Sequence, residues 1–480
     1  MQYKYVVLTN TTIGAFMSNL DGNIVLISLP TILRELPGTS TFDGIWIIMG
    51  YTLVTATVLL SIGRLGDMFG RVRLYNLGFA VFTVGSGLCS IAPDGILLVS
   101  MRFVQGLGAA LIWANNAAIL TDAFPVTERG RAIGINQVFG VSGSIIGLVA
   151  GGVLTTFLGW RSIFWINLAP GAFATAWAYL KLKDLNPRLK GERLDPLGNV
   201  LFGVSLTSFL VGLTLGAIEG WGRIDLYLMG AGCLVFVAFA YAETRVRNPM
   251  MDLRLFRLRA FSAGALANLL TSISRSSISL ILVFYFQGVL LYDAFTAGIL
   301  LLPFSVAFVM LGPLSGALSD RFGPRFFAPT GLVLSAVALF WFATLPYNVS
   351  YTELALPMML AGAGGGMFFA PNIAAIMNAV PPARRGVASG TSSTLGNAGS
   401  LVSLGVVFAI FGASVPLSSL QAILAGLTPP AGSLSVQLFV GAMHEAFLIL
   451  GAISLIAAIP ASQTGTRSKE TIIYEEVDSG

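Results

Sequence analysis

Apolar residues in this chain do not alternate and do not keep to one helical stripe. They come in nearly unbroken runs, separated by short polar breaks, from one end to the other. A run of about 20 apolar residues is what an α-helix needs to cross the hydrocarbon of a bilayer. Fourteen such runs are predicted, over 6–29, 44–62, 74–92, 95–121, 132–157, 162–180, 195–217, 225–242, 261–289, 295–318, 327–345, 353–379, 386–412 and 438–460. The first, from Tyr5 to Leu29, is too long for a signal-peptide core and carries Asp21, so it reads as a retained span.

The polar breaks set the orientation. With the amino terminus inside, Arg34, Arg161 and Arg223 lie outside and Arg102 and Arg275 lie within spans, which leaves 22 of the 27 Lys and Arg on the cytoplasmic side. The positive-inside rule then puts both termini in the cytoplasm of a plasma-membrane protein.

Two landmarks recur at nearly one offset. AFPVTERGRAIG (Ala123 to Gly134) returns as AVPPARRGVASG (Ala379 to Gly390), and GRLGDMFGRVR (Gly63 to Arg73) as GALSDRFGPRF (Gly316 to Phe326). The chain is therefore a duplicated unit. An even number of spans separates the copies, so both face the same way and form a parallel repeat about an axis along the membrane normal, as in secondary transporters. Six spans per copy leaves spans 7 and 8 as an inserted pair with basic linkers at both ends. The expected division is 1–185 for the first six-helix bundle, 186–255 for the inserted pair with its linkers, 256–462 for the second bundle, and 463–480 for a disordered cytoplasmic tail. The second linker, with Met250, Met251, Leu253, Leu255 and Phe256, reads either as lying along the inner headgroup layer or as a solvated connection.

Composition excludes the other broad classes. Charged residues are 10% and hydrophobic residues 55% of the chain, against roughly 25% charged in ordinary soluble domains. The formal charge of +5 is spread over short loops, which argues against a nucleic-acid partner. Cys89 and Cys233 lie in apolar runs and read as small core residues, and the single histidine, His444, excludes a His-rich metal cluster. No GxxxxGK[ST] loop and no Ser/His/Asp, Cys/His or metal constellation is present, so neither ATP-driven pumping nor an enzyme is expected, and no cofactor beyond a proton gradient.

GRLGDMFGRVR resembles the signature loop of the major facilitator superfamily. RFVQGLGAA in span 4, the RGRAIG turn and GWRSIFWIN entering span 6 are similar to that superfamily as well. Fourteen spans, the LDGNIVLISLP stretch and the MDLRLFR linker narrow the resemblance to its fourteen-span drug:proton antiporters. The resemblance implies an all-α integral membrane fold of two six-helix bundles plus two inserted helices. It further implies a monomeric multidrug-efflux transporter working by alternating access on a lipophilic or cationic small molecule.

Charges and glycines supply the candidate sites. Asp21, deep in span 1, costs on the order of 3 kcal/mol to bury as an anion, so it needs a partner or a task. Arg102 is the opposing charge, and the resemblance implies a proton-coupling role for Asp21. Arg275 reads either as a cavity cation or as an outer-end anchor, and Glu445, a second acid in the outer or middle third of span 14, reads as a cavity residue paired with Arg275 or with His444. Asn115, Asn116, Asn136, Gln137 and Asn372 either line the cavity or satisfy neighbouring helices. In the signature loop, Gly63 and Gly70 allow a tight turn, Asp67 caps a helix end, and Arg71 and Arg73 reach for Asp122. The repeat places Asp320 and Arg321 there but Asn378 opposite Asp122, so the latch should be stronger on one side. Gly134, Gly143, Gly147, Gly151 and Gly152 in span 5 resemble the family's antiporter signature, with Leu148 in place of its proline. Three of them form one bare face for close helix approach. A proton-driven exporter is the leading expectation; a symporter or uniporter for a nutrient or organic anion, and a non-transporting sensor or scaffold, stay open.

Overall fold

The computed structural model describes residues 2–125, 128–185, 194–246, 249–347, 349–381, 384–427 and 433–464. Within them lie fourteen helices long and apolar enough to span a membrane. They are α1 Tyr3–Glu35, α2 Thr41–Phe69, α3 Arg71–Ser90, α4 Gly95–Ala123, α5 Arg131–Leu158, α6 Ser162–Lys181 and α7 Pro196–Glu219. Next come α8 Arg223–Glu243, α9 Arg259–Val289, α10 Ala294–Ser319, α11 Arg325–Phe342, α12 Tyr351–Asn378, α13 Arg385–Ser414 and α14 Leu434–Ala461. Each covers one predicted run. Three of the spans are irregular: α6 breaks between Trp165 and Leu168, α9 breaks at Ser276–Ser277 and ends in a π-turn over Tyr285–Val289, and α10 breaks at Leu301.

The duplication is visible in which helices touch. In the first bundle α1 packs on α5, α4 on α2 and α3, and α6 on α1 and α3. In the second, α9 packs on α13, α12 on α10 and α11, and α14 on α9 and α11. The inserted α7 leans on both α2 and α13, while α8 touches mainly α7. Cys233 accordingly sits exposed on α8 instead of in a core, whereas Cys89 is buried.

The described chain ends and both signature loops lie at one face, and toward the other the two bundles also touch directly. There Gln287 Nε2 donates to the Ile27 carbonyl at 2.8 Å, and the Phe295 amide donates to Thr156 Oγ1 at 3.3 Å. Glycines make this contact possible. A Cβ on Gly152 of α5 would come within 2.5 Å of the Ala294 carbonyl oxygen, and one on Gly298 of α10 within 2.6 Å of that of Leu148.

The described part of the α8–α9 linker from 249 onward is not free in solvent but packed on the protein. Met250, Met251 and Leu255 are buried, the methionines against Phe202 and Phe239. Its polar contacts tie it down: Arg64 of α2 donates to the Pro249 carbonyl, and Arg384 Nη1 reaches Asp252 at 2.7 Å. The uncharged segment after α13 forms a short helix, Leu417–Leu424, that packs on the π-turn of α9; Pro429 and Pro430 lie outside the described residues, as does the tail from 465 onward.

Candidate functional site

The most polar buried point of the first bundle is Asp21, 0% exposed on α1. Arg102 Nη1 of α4, 1% exposed, lies 2.6 Å from Asp21 Oδ2. The other carboxylate oxygen accepts from Gln105 Nε2 at 2.7 Å and from Asn167 Nδ2 at 3.0 Å. Arg102 is itself tied down, donating through Nε to the Ile47 carbonyl at 3.0 Å and through Nη1 to Gln105 Oε1 at 2.6 Å, with its plane 4.4 Å from the Tyr51 ring centre. Asn167 also donates to Ser86 Oγ of α3 at 3.2 Å. An ion pair taken out of water stands only when its remaining donors and acceptors are satisfied, and these neighbours do that from four helices: α2, α3, α4 and α6.

Asp21 and Arg102 are thus brought together as the charge pattern implied; Gln105 and Asn167 were not singled out. Gln105 lies one helical turn past Arg102 on the same face. Asn167 sits at the break in α6, where its side chain turns inward; its sequence signal is its place as the last residue of GWRSIFWIN, as Gln105 lies within RFVQGLGAA.

A crevice of about 540 Å³ ends at this network. It lies between α1, α5 and α6 and is lined by apolar side chains such as Phe16, Leu20 and Phe139, with Asn167 at its rim. Alongside it, α1 and α5 cross almost backbone to backbone. Gly143 is set against the Phe16 carbonyl, a Cβ on Gly147 would approach the Leu20 carbonyl oxygen to 2.7 Å, and one on Gly151 that of Ile24 to 3.0 Å. Gly152 faces the other bundle, and Gly134 faces open space.

The signature loop closes the terminal face of the first bundle. Arg71 bridges Asp67 at 2.7 Å and Asp122 at 2.8 Å. Arg73 is exposed, and it is Arg71 that reaches Asp122. Gly63 is an ordinary residue of α2; the turn is made by Gly70 at φ +111°, matched in the repeat by Gly323 at φ +88°. Asp67 does not cap a helix end. That task falls to Asp184, whose Oδ1 accepts from the Val72 amide at 2.8 Å, because the chain leaving α6 returns over the start of α3. In the second bundle Arg321 is exposed with its guanidinium 5.5 Å from the Phe322 ring, and the side chain of Asp320 lies outside the described residues.

The amide candidates divide between helix packing and the surface. Asn115 donates to its own Leu111 carbonyl at 2.9 Å and is wedged against Gly66. Asn116 donates to Thr11 O at 2.7 Å and Asn372 to Gly264 O at 3.1 Å, each stitching two helices of one bundle. Asn136 is buried with Nδ2 unpaired, and Gln137 is exposed.

The pairs expected around Arg275 do not form. Glu445 is exposed and accepts from Ser414 Oγ at 3.3 Å, while His444 Nε2 lies 2.8 Å from the Leu345 carbonyl. Arg275 instead packs over Phe308, 4.4 Å from the ring centre, and near Phe304, at 5.7 Å. Among the described residues no group of three or more His, Cys, Asp and Glu is placed to hold a metal ion.

Comparison with known proteins gives one consistent picture. A family model described as Major Facilitator Superfamily matches residues 11–404 and again 264–469. The chain is 32% identical over 401 residues to the riboflavin transporter RibZ of Clostridioides difficile, covering 83% of this chain and 86% of that one. It is 33% identical over 417 residues to the multidrug resistance protein Stp of Mycobacterium tuberculosis, covering 85% and 76%. It is 30% identical over 488 residues to the tetracenomycin C resistance and export protein of Streptomyces glaucescens, covering 95% and 90%. Among solved structures, a D-xylose-proton symporter superposes with a TM-score of 0.66 at 14% identity, covering 97% of this chain and 99% of that one, a likeness of fold alone.

Proposed function

The chain belongs to the major facilitator superfamily and is a secondary transporter; on that premise we propose that it is a proton-driven exporter of amphipathic organic compounds. The Asp21–Arg102 pair with its Gln105 and Asn167 donors carries this reading. Proton arrival at Asp21 neutralises the carboxylate and leaves Arg102 without its anion, so the two protonation states favour different packings of α1 against α4 and α6. The crevice ending at Asn167 marks the side from which this network is approached.

The change has a mechanical route out. Asp21 follows Leu20, whose carbonyl is crossed by Gly147 of α5, and the same helix meets Ala294 of the other bundle at Gly152. Bare glycine faces let α1 and α5 slide without interlocking side chains. A shift at the carboxylate therefore reaches the seam whose opening and closing alternates access. In this reading the face bearing the termini is cytoplasmic, the membrane is the plasma membrane, and the working unit is the monomer. The bundles run over 1–185 and 256–462 around the insertion 186–255. Relatives named for multidrug resistance and for export support the outward direction.

The test is flux in proteoliposomes under an imposed pH gradient, screened with lipophilic cations, neutral drugs and organic anions beside Asp21→Asn. Gradient-driven movement that disappears in Asp21→Asn supports the assignment, and a mutant with full gradient-dependent flux refutes it. A proton-coupled symporter or a uniporter for a nutrient or organic anion is the second reading, favoured by the unpartnered Arg275 and by the riboflavin transporter among the relatives. Uptake into whole cells, in place of accumulation in acidified inside-out vesicles, would select it. A sensor or scaffold would show no flux under either arrangement.

A further inference from the structure

The two bundles are unlike in one respect that the duplication does not predict. In the first, the buried carboxylate has its guanidinium. In the second, Arg275 stands near the midpoint of α9 with no hydrogen-bond acceptor and no carboxylate among the described residues. Its place on α9 is defined by its neighbours. Asn268, Ser276 and Ser277 bond to Ser392, Ser400 and Ser403 of α13, and Ser274 donates to the Leu450 carbonyl of α14. Arg275 is left to face α10 and α12, where Gly365 admits its stem: a Cβ there would approach Arg275 Cδ to 3.1 Å.

Two phenylalanines of α10 receive the charge. Cation–π contact of this kind is worth about 2 kcal/mol when dehydrated, but ring faces leave the five N–H donors of a guanidinium without proper acceptors. Phe308 in turn meets Phe369 of α12 at 6.1 Å, and Phe369 is exposed, so the aromatic wall continues outward from the cation. Midway along a transmembrane helix, lipid headgroups are out of reach. A permanently charged, fork-shaped donor beside a flat aromatic wall fits a planar oxyanion bound through two oxygens.

We propose that Arg275 is the docking point for a carboxylate or similar planar oxyanion carried by a flat aromatic substrate, whose rings lie along Phe304, Phe308 and Phe369. This deepens the transport reading and rests on it for the fate of the bound molecule, but not for the binding itself. It also reverses the expectation of a cationic substrate, since a cation would meet an unmatched positive charge.

Three probes of one shape separate the cases: anthraquinone carboxylate, anthraquinone carboxamide and aminomethyl anthraquinone. In equilibrium dialysis against the purified full chain, the carboxylate is expected to bind at least about tenfold tighter than the carboxamide, which is about 1.4 kcal/mol, with the amine weakest. Arg275→Gln should level the three affinities, and Arg275→Lys should restore part of the preference. Because an unmatched charge in hydrocarbon is a cost, Arg275→Gln should melt at the same or a higher temperature than the parent. Equal or absent binding of all three to the parent, or preference for the amine, overturns the proposal. So does an Arg275→Gln variant that melts lower and loses every probe, which marks a strut. Asp21→Asn should keep the carboxylate preference. If that preference stands while no gradient drives any flux, the coupling reading fails and this one survives; if gradient-driven flux of other compounds occurs without the preference, the reverse holds.

Discussion

Arg102 Nη1 sits 2.6 Å from Asp21 Oδ2 with both side chains sealed from the surface, so neither charge has solvent to fall back on. Removing one partner then leaves the other as an uncompensated buried ion, a loss of about 3–5 kcal/mol. Arg102→Ala should lower the melting temperature of the purified protein steeply. Adding Asp21→Asn to Arg102→Gln should recover much of the loss while abolishing gradient-driven flux. A double variant no more stable than Arg102→Gln alone would show that the pair is not the unit that matters.

The glycine face of α5 makes a contrast that one residue type can test. Gly147→Val forces a side chain into the Leu20 carbonyl and should depress both stability and flux. Gly134→Ala, in open space on the same helix, should gain up to about 1 kcal/mol from helix propensity. Thermal melting and flux of the two variants would separate close approach from a general dislike of substitution in α5.

The two signature-loop glycines share a left-handed backbone but not their surroundings. Gly323→Ala should lose only the conformational cost of a positive φ, about 1–2 kcal/mol. Gly70→Ala should lose more, because its Cβ would also press to 2.5 Å of the Asp184 carboxylate and dislodge the cap of α3. Asp184→Ala alone should cost about 0.5–2 kcal/mol as a lost cap, read as a melting shift.

Arg71 is shared between Asp67 and Asp122, and the three should behave as one unit. A double-mutant cycle on Arg71 and Asp122 should give a coupling energy of about 0.5–3 kcal/mol. Arg73→Ala, at an exposed neighbour, should change stability by less than about 0.5 kcal/mol.

The sequence exposes what depends on runs and recurrences. Fourteen apolar stretches and one repeated offset are enough to lay out the spans, because bilayer thickness fixes helix length without reference to packing. The partnership of Asp21 and Arg102 was legible for a related reason: two opposite charges in hydrocarbon have few other ways to exist. What stayed hidden depends on rotation about a helix axis. Glu445 was a reasonable partner for Arg275 only while the facing of α9 and α14 was unknown; Ser274, one residue away, is what points at α14. Asp184 was invisible because it caps α3 from more than a hundred residues downstream. Asn115, Asn116 and Asn372 have the look of cavity residues, yet an amide in a membrane bundle finds a backbone carbonyl one turn or one helix away.

The placing of α7 has a geometric result. Resting on α2 of one bundle and α13 of the other, it shutters one of the two long clefts along which the bundles face the bilayer. The opposite flank, between α5 and α10, has no third helix across it and is closed by those two alone, where Gly152 and Gly298 bring their backbones together. The assembly is therefore lopsided, braced on one flank by an extra helix and held on the other by a bare glycine seam.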